Sequence, residues 1–277
     1  MRRPTKLDLR KTLFILPNLI TLSSVFCGFD SLRISASAQG EEDFYKDALL
    51  IVFAMLFDML DGRVARMTKT QSAFGLQIDS LADVVSFGAA PALLVYEWTL
   101  KRLELTGLIV SFLFVACGAV RLARFNVLSM GEGGKPTKPS KYIVGLPIPG
   151  AAGILVAIVV ANHAVGGAIG RAEYAWGMLA VTALLSFFMV STIRFRSFKD
   201  VKLNVRTVLF VAFAIGSSIF ISMRMSPAFV LVWLLGFYIL LGVFESLWHL
   251  PGRLMGRRDP EAPEAKSSSA PPEPPAS

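Results

Sequence analysis

Apolar stretches of about 20 residues recur about eight times along this chain, each long enough for a helix to cross the roughly 30 Å hydrocarbon layer of a bilayer. They fall at 12–34, 45–66, 76–97, 106–126, 143–164, 173–194, 205–222 and 226–248. The expected fold class is therefore all-α, a polytopic membrane helix bundle. Of the 277 residues, 54% are hydrophobic and 17% charged, a balance that excludes an ordinary soluble domain. Arg2, Arg3, Lys6, Arg10 and Lys11 precede the first run, as in a signal peptide. That run is too long, continuing past Phe26, and no A-x-A cleavage site follows at the expected place, so it reads as a retained first helix.

Charge orients the spans, because Lys and Arg of short loops accumulate on the cytoplasmic side. The N-terminus and the connections Arg63 to Lys69, Arg121 to Lys141 and Arg194 to Arg206 are basic, as is the Arg253 to Arg258 tail. The alternate connections are acidic or nearly neutral. Both termini are thus expected in the cytoplasm. The net charge of +8 follows from this bias and from attraction to anionic membrane phospholipids, with no call for a nucleic acid partner. Cys27 and Cys117 fall inside spans without metal-site or disulfide spacing and read as packing residues. Three regions follow: a basic segment over 1–11, a transmembrane catalytic domain over 12–250, and a Pro-, Ser- and Glu-rich cytoplasmic tail over 251–277 that cannot bury enough surface to fold.

The stretch Phe57 to Pro91 departs from this pattern, since it places Asp58, Asp61, Asp79 and Asp83 in spanning helices. An Asp at the centre of such a helix costs about 2.5–3.5 kcal/mol on insertion scales. Asp58 and Asp61 are spaced i,i+3, and Asp79 and Asp83 i,i+4, so each pair shares a helical face. A connection of about ten residues should bring the two faces together toward the cytoplasmic ends of adjacent antiparallel helices. Four converging carboxylates cannot all stay ionised without positive charge among them. Hard oxygen donors suit Mg²⁺, Mn²⁺ or Ca²⁺, and two divalent cations are the economical reading. Neutralisation of Arg63, Arg66 and Lys69 at an interface explains one such acid more easily than four. A divalent-cation transporter is the alternative from another class, but it calls for acids distributed across the bilayer.

Other polar positions carry weaker signals. Arg121 and Arg124, followed by Asn126, end the fourth span; either arginine can grip a phosphate or carboxylate or serve only as a positive-inside anchor. Lys135, Lys138 and Lys141 suit contacts with anionic lipid. Pro147 and Pro149 are expected to kink or start the fifth helix. His163 is placed in an outward loop and His249 near the last helix end, neither with metal-binding partners, and Trp98 and Trp248 read as interfacial belt residues.

Together, Asp61-Gly62, Ala65-Arg66, Gly75, Asp79 and Asp83 fill every fixed position of D-G-x-x-A-R-x8-G-x-x-x-D-x-x-x-D, the signature of the CDP-alcohol phosphotransferase family, which this chain resembles. Asp58 supplies the further acid three residues before the Asp-Gly pair. The resemblance implies a six-helix core, here with two added helices, that transfers a phosphoalcohol group from a CDP-linked donor to an acceptor hydroxyl and releases CMP. It implies Asp58, Asp61 and Asp79 as metal ligands, and Asp83 as ligand and general base. Gly62, Arg66, Ser72 and Gly75 would line the CDP donor, with Asn18 and Thr21 beside Pro17 at the cytoplasmic end of the first span. The reading of Asn18 and Thr21 as ordinary back-bonded residues of a helix start stands beside that one. A homodimer is compatible with the family.

A narrower resemblance covers most of the membrane part. LPNLITLSSVFCGF, QIDSLADVVSFGAAPALL, ACGAVRLARFN and GLPIPGAAG look like the multispanning class of phosphatidylserine synthase, which implies CDP-diacylglycerol as donor and L-serine as acceptor. Glycerol 3-phosphate, inositol phosphate or choline are the alternative acceptors within the same chemistry.

Overall fold

The computed structural model describes residues 9–68, 70, 72–129, 142–166 and 172–196, with short helical pieces between 216 and 237. Helix α1 (Leu9–Ser37) turns at 38–40 into α2 (Glu41–Thr68). Asp43 accepts the Gln39 amide at 3.1 Å, and Glu41, Glu42 and Asp43 place negative charge on the first turn of α2, where the helix dipole favours it. The third span is α3 (Ala73–Asp83), a π-turn (Val84–Ala89) and α4 (Ala90–Trp98) in unbroken succession. A 3₁₀ turn leads into α5 (Glu104–Ser129), followed by α6 (Ile148–Ala164) and α7 (Ala175–Val190). Pro147 caps α6 and Pro149 lies in its first turn, positions where a missing N–H costs nothing.

These six helical units form the all-α bundle, and the first four expected spans agree with them to within a few residues. The fifth and sixth are shorter than expected. Residues 142–144 and 194–196 instead form two short strands, β1 (Tyr142–Val144) and β2 (Arg194–Arg196), paired antiparallel with Ile143 opposite Phe195. The Gly145 amide donates to the Ile193 carbonyl at 2.8 Å and the Leu146 amide to that of Phe188 at 3.0 Å. Gly145 has a φ of +79° and faces the Met189 carbonyl, a conformation open to glycine and strained for other residues. The expected spans 205–222 and 226–248 lie mostly outside the described residues, although Trp233 donates to Ser217 at 2.9 Å. The segment 1–8, Lys69, the loop 130–141 with its three lysines, His249, Trp248 and the tail 251–277 also lie outside them.

Leu16–Ser37, Ala73–Trp98 and Leu100–Leu128 are long and apolar enough to cross a membrane, and α2 matches them in length while carrying Asp47, Asp58 and Asp61. Leu19, Leu22, Phe26 and Phe29 of α1 and Leu105, Leu108, Ile109 and Phe112 of α5 are exposed. Outward stripes of this size would be aggregation sites in water and are lipid-facing in a membrane protein, which this chain is. Helix α6 is enclosed by the others: Ile148, Ala151, Ala152, Leu155 and Val156 are buried, and the Ile148 side chain sits in the notch left by Gly88 and Gly118.

Two sequence expectations need correction at the end of the bundle away from the four aspartates. Trp98 is a core residue, 4% exposed, because it lies on the same face of α4 as Leu94 and Val95. Trp176 and Tyr174 are the exposed aromatics at that level. His163 belongs to the last turn of α6 rather than a loop, and its ring stacks on Tyr45 with centroids 4.1 Å apart.

Candidate active site

The four aspartates come from two helices whose link is shorter than the sequence suggested. Helix α2 continues to Thr68 and α3 begins at Ala73, five positions further along the chain. Ser72 caps α3, its Oγ accepting the Gly75 amide at 3.0 Å. Asp58, Asp61 and Asp79 each offer one carboxylate oxygen within 4.8 Å of the other two. Asp83, one turn further along α3, stands outside that triad but within electrostatic range of all three. It is buried, and its Oδ1 has no hydrogen-bond partner among the described residues.

Helix α1 completes the wall. Thr21 is buried, and its Oγ1 lies 2.5 Å from Asp61 Oδ2 and 3.1 Å from the Pro17 carbonyl. The back-bonded arrangement and a contact with Asp61 therefore coexist at one hydroxyl. Pro17 is inside α1, near its N-terminal end, as the expected first span had it. Asp61 also accepts the Gly62 amide. A Cβ at Gly62 would come within 3.4 Å of the Arg66 guanidinium, so the absent side chain leaves Arg66 room to fold back toward the acids. Asn18 lies near Gly75 and Ser72, its Oδ1 3.9 Å from where a Gly75 Cβ would stand. Of the residues expected at the donor, Thr21, Gly62 and Arg66 thus act on Asp61, while Asn18, Ser72 and Gly75 lie together at the start of α3.

The two arginines of α5 separate. Arg121 acts electrostatically on Asp83 and lies over the Phe125 ring, 5.9 Å from its centroid. Arg124 donates to the Val190 carbonyl at 3.3 Å, binding α5 to the C-terminal end of α7. Asn126, buried, donates to Ser80 Oγ at 2.9 Å and to Gln77 Oε1 at 3.4 Å, which fixes α3 against α5 on either side of Asp79.

Sequence reasoning passed over Asp47. It is fully buried in α2, toward the opposite end of the bundle, where the hydroxyls of Ser31 and Ser35 of α1 both donate to its carboxylate. The rule that singled out Asp58 and Asp61, an acid inside an apolar run, applied to Asp47 as well.

A donor set of clustered carboxylates with an orphaned carboxylate oxygen beside it fits hard divalent cations, which take oxygen ligands. The acidic cluster lies at one end of an apolar bundle, with Arg66 acting electrostatically on Asp61 and Arg121 on Asp83, the arrangement of a membrane enzyme rather than of a packing core. The family model for CDP-alcohol phosphatidyltransferase matches residues 14–193, and the chain belongs to that family. Over 237 residues it is 38% identical to a CDP-diacylglycerol–serine O-phosphatidyltransferase of Helicobacter pylori, covering 85% of this chain and 92% of that one. An archaetidylserine synthase of Methanothermobacter thermautotrophicus is 35% identical over 68% of this chain and 72% of its own. A CDP-diacylglycerol–serine O-phosphatidyltransferase of Mycobacterium tuberculosis is 36% identical over 52% of this chain and 49% of its own.

Proposed function

We propose that this chain is a CDP-diacylglycerol–serine O-phosphatidyltransferase, moving the phosphatidyl group from CDP-diacylglycerol to the hydroxyl of L-serine and releasing CMP. The observation that carries it is the acidic triad of Asp58, Asp61 and Asp79 beside a buried Asp83, in a chain that shares 38% identity over most of its length with a relative of that name. The three triad residues, with Asp83, would hold two divalent cations, Mg²⁺ or Mn²⁺, with Ca²⁺ the other hard candidate. When bound, such ions neutralise pyrophosphate charge and stabilise the leaving oxygen.

The remaining work falls to the chain. Thr21 and the Gly62 amide orient Asp61, and Arg66 supplies positive charge at the nucleotide side. The serine oxygen forms its bond to the lipid-side phosphorus as the bond to CMP breaks, and the serine proton passes to Asp83. Arg121, beside Asp83, offers charge to the serine carboxylate or lipid phosphate. The site faces the cytoplasm in this reading, with both termini on the same side. A panel of radiolabelled acceptors with purified protein tests it: serine should be incorporated, and incorporation of glycerol 3-phosphate, inositol phosphate or choline in its place would overturn serine as the acceptor.

A further inference from the structure

The third span is not a continuous α-helix, and its irregularity lies directly against the site. Val84–Ala89 form a π-turn that begins at the residue after Asp83, and the Ala90 amide reaches back to the Val85 carbonyl. A π-turn holds one residue more than the α-turn it replaces, and such turns recur at functional sites. At 3.6 residues per turn, one extra residue rotates everything before it by about 100° relative to everything after. Beyond the π-turn the span faces the core with Ala90, Pro91, Ala92, Leu94, Val95 and Trp98. Continued backward at α spacing, the mean direction of that face would miss Asp79 by about 110°; the inserted residue brings Asp79 to within about 10° of it.

The π-turn is clamped by α1. Ser86 donates to the Ser24 carbonyl at 3.0 Å, and the two hydroxyls are 3.4 Å apart. A methyl group at Gly28 would stand 2.7 Å from Ser86 Oγ and 2.8 Å from Ser86 Cα. The second contact is with backbone, so it cannot be relieved by a side-chain rotation. We propose that the π-turn, held by Ser24 and Gly28 against Ser86, sets the azimuth of Asp79 and Asp83, making Gly28 and Ser86 positioning residues for the reaction. This rests on the reading of the four aspartates given above.

The experiment measures Mn²⁺ affinity by calorimetry, and kcat and KM for serine, on purified wild type, Gly28→Ala and Ser86→Ala. Gly28→Ala should bind Mn²⁺ at least ten-fold more weakly and turn over at least ten-fold more slowly while still eluting as a folded, monodisperse species. Ser86→Ala should lower kcat three- to ten-fold with KM unchanged. Folded Gly28→Ala protein with wild-type affinity and kcat overturns the proposal. Should that variant yield no folded protein, Ser86→Ala decides, and wild-type kcat there overturns it. Wild-type protein that incorporates serine without binding Mn²⁺ counts against the metal reading alone, and the kcat of the two variants then decides this one.

Discussion

Thr21 Oγ1 lies 2.5 Å from Asp61 Oδ2, joining α1 to α2 across 40 positions of sequence. A hydroxyl has one proton, and the Pro17 carbonyl competes for it at 3.1 Å; the shorter contact to a charged acceptor is the stronger. Thr21 therefore fixes which way the Asp61 carboxylate faces, the part that outer-shell partners play at metal sites, where their loss costs about 10–100-fold in metal affinity. Thr21→Val should weaken Mn²⁺ binding about ten-fold and Thr21→Ser should restore most of it, measured by calorimetry. Equal affinity in all three proteins would separate Thr21 from Asp61's function.

Removal of the proposed base, Asp83, should dissociate binding from turnover. Asp83→Asn is expected to lower kcat by about 10²–10⁴-fold, the span of general-base contributions, while CDP-diacylglycerol binding stays near wild type. Full turnover in this variant would exclude Asp83 as proton acceptor.

The triad should behave in the opposite way. Asp58→Asn or Asp79→Asn takes away one of three converging ligands, so donor binding that depends on added Mg²⁺ or Mn²⁺ should be lost. Calorimetry with and without EDTA reads it directly: EDTA should abolish the wild-type signal and leave these variants unchanged. Metal-dependent binding that survives both substitutions would sink their ligand role.

The arginines of α5 should give different phenotypes. Arg124→Ala breaks a contact with the end of α7 and should cost about 0.3–1 kcal/mol of stability, as for other cations at a helix C-terminus, with kcat little changed. Arg121→Ala should leave thermal stability nearly intact and reduce turnover at least ten-fold. Reversed phenotypes in a thermal-shift and turnover comparison would reassign the pair.

At the far end, Asp47 relies on Ser31 and Ser35. The double substitution Ser31→Ala/Ser35→Ala leaves a buried carboxylate without those donors and should cost about 1–3 kcal/mol. Residual activity per folded molecule should match wild type, since this cluster does not touch the acidic triad. A selective loss of kcat without loss of stability would contradict that separation.

Local chemistry was legible without coordinates. Run length specified the first four spans to within a few residues, because crossing hydrocarbon needs a fixed number of apolar residues. The i,i+3 and i,i+4 spacings put Asp58 with Asp61 and Asp79 with Asp83 on shared faces, and Pro147 and Pro149 marked the start of α6. All of these depend on residues within one continuous stretch of helix.

Tertiary packing decided the rest. Whether Arg121 or Arg124 faces the acids depends on where α7 ends, and the burial of Trp98 depends on which side of α4 the other helices cover. The partner of Thr21 lies in another helix, as do the donors to Asp47. The π-turn has no local signature: its place is fixed where Gly28 and Ser24 meet Ser86, residues 62 or fewer positions apart that only helix packing brings together. The sequence by itself thus singled out the four carboxylates proposed for the site, and the packing of α1 against the third span determined the direction in which two of them point.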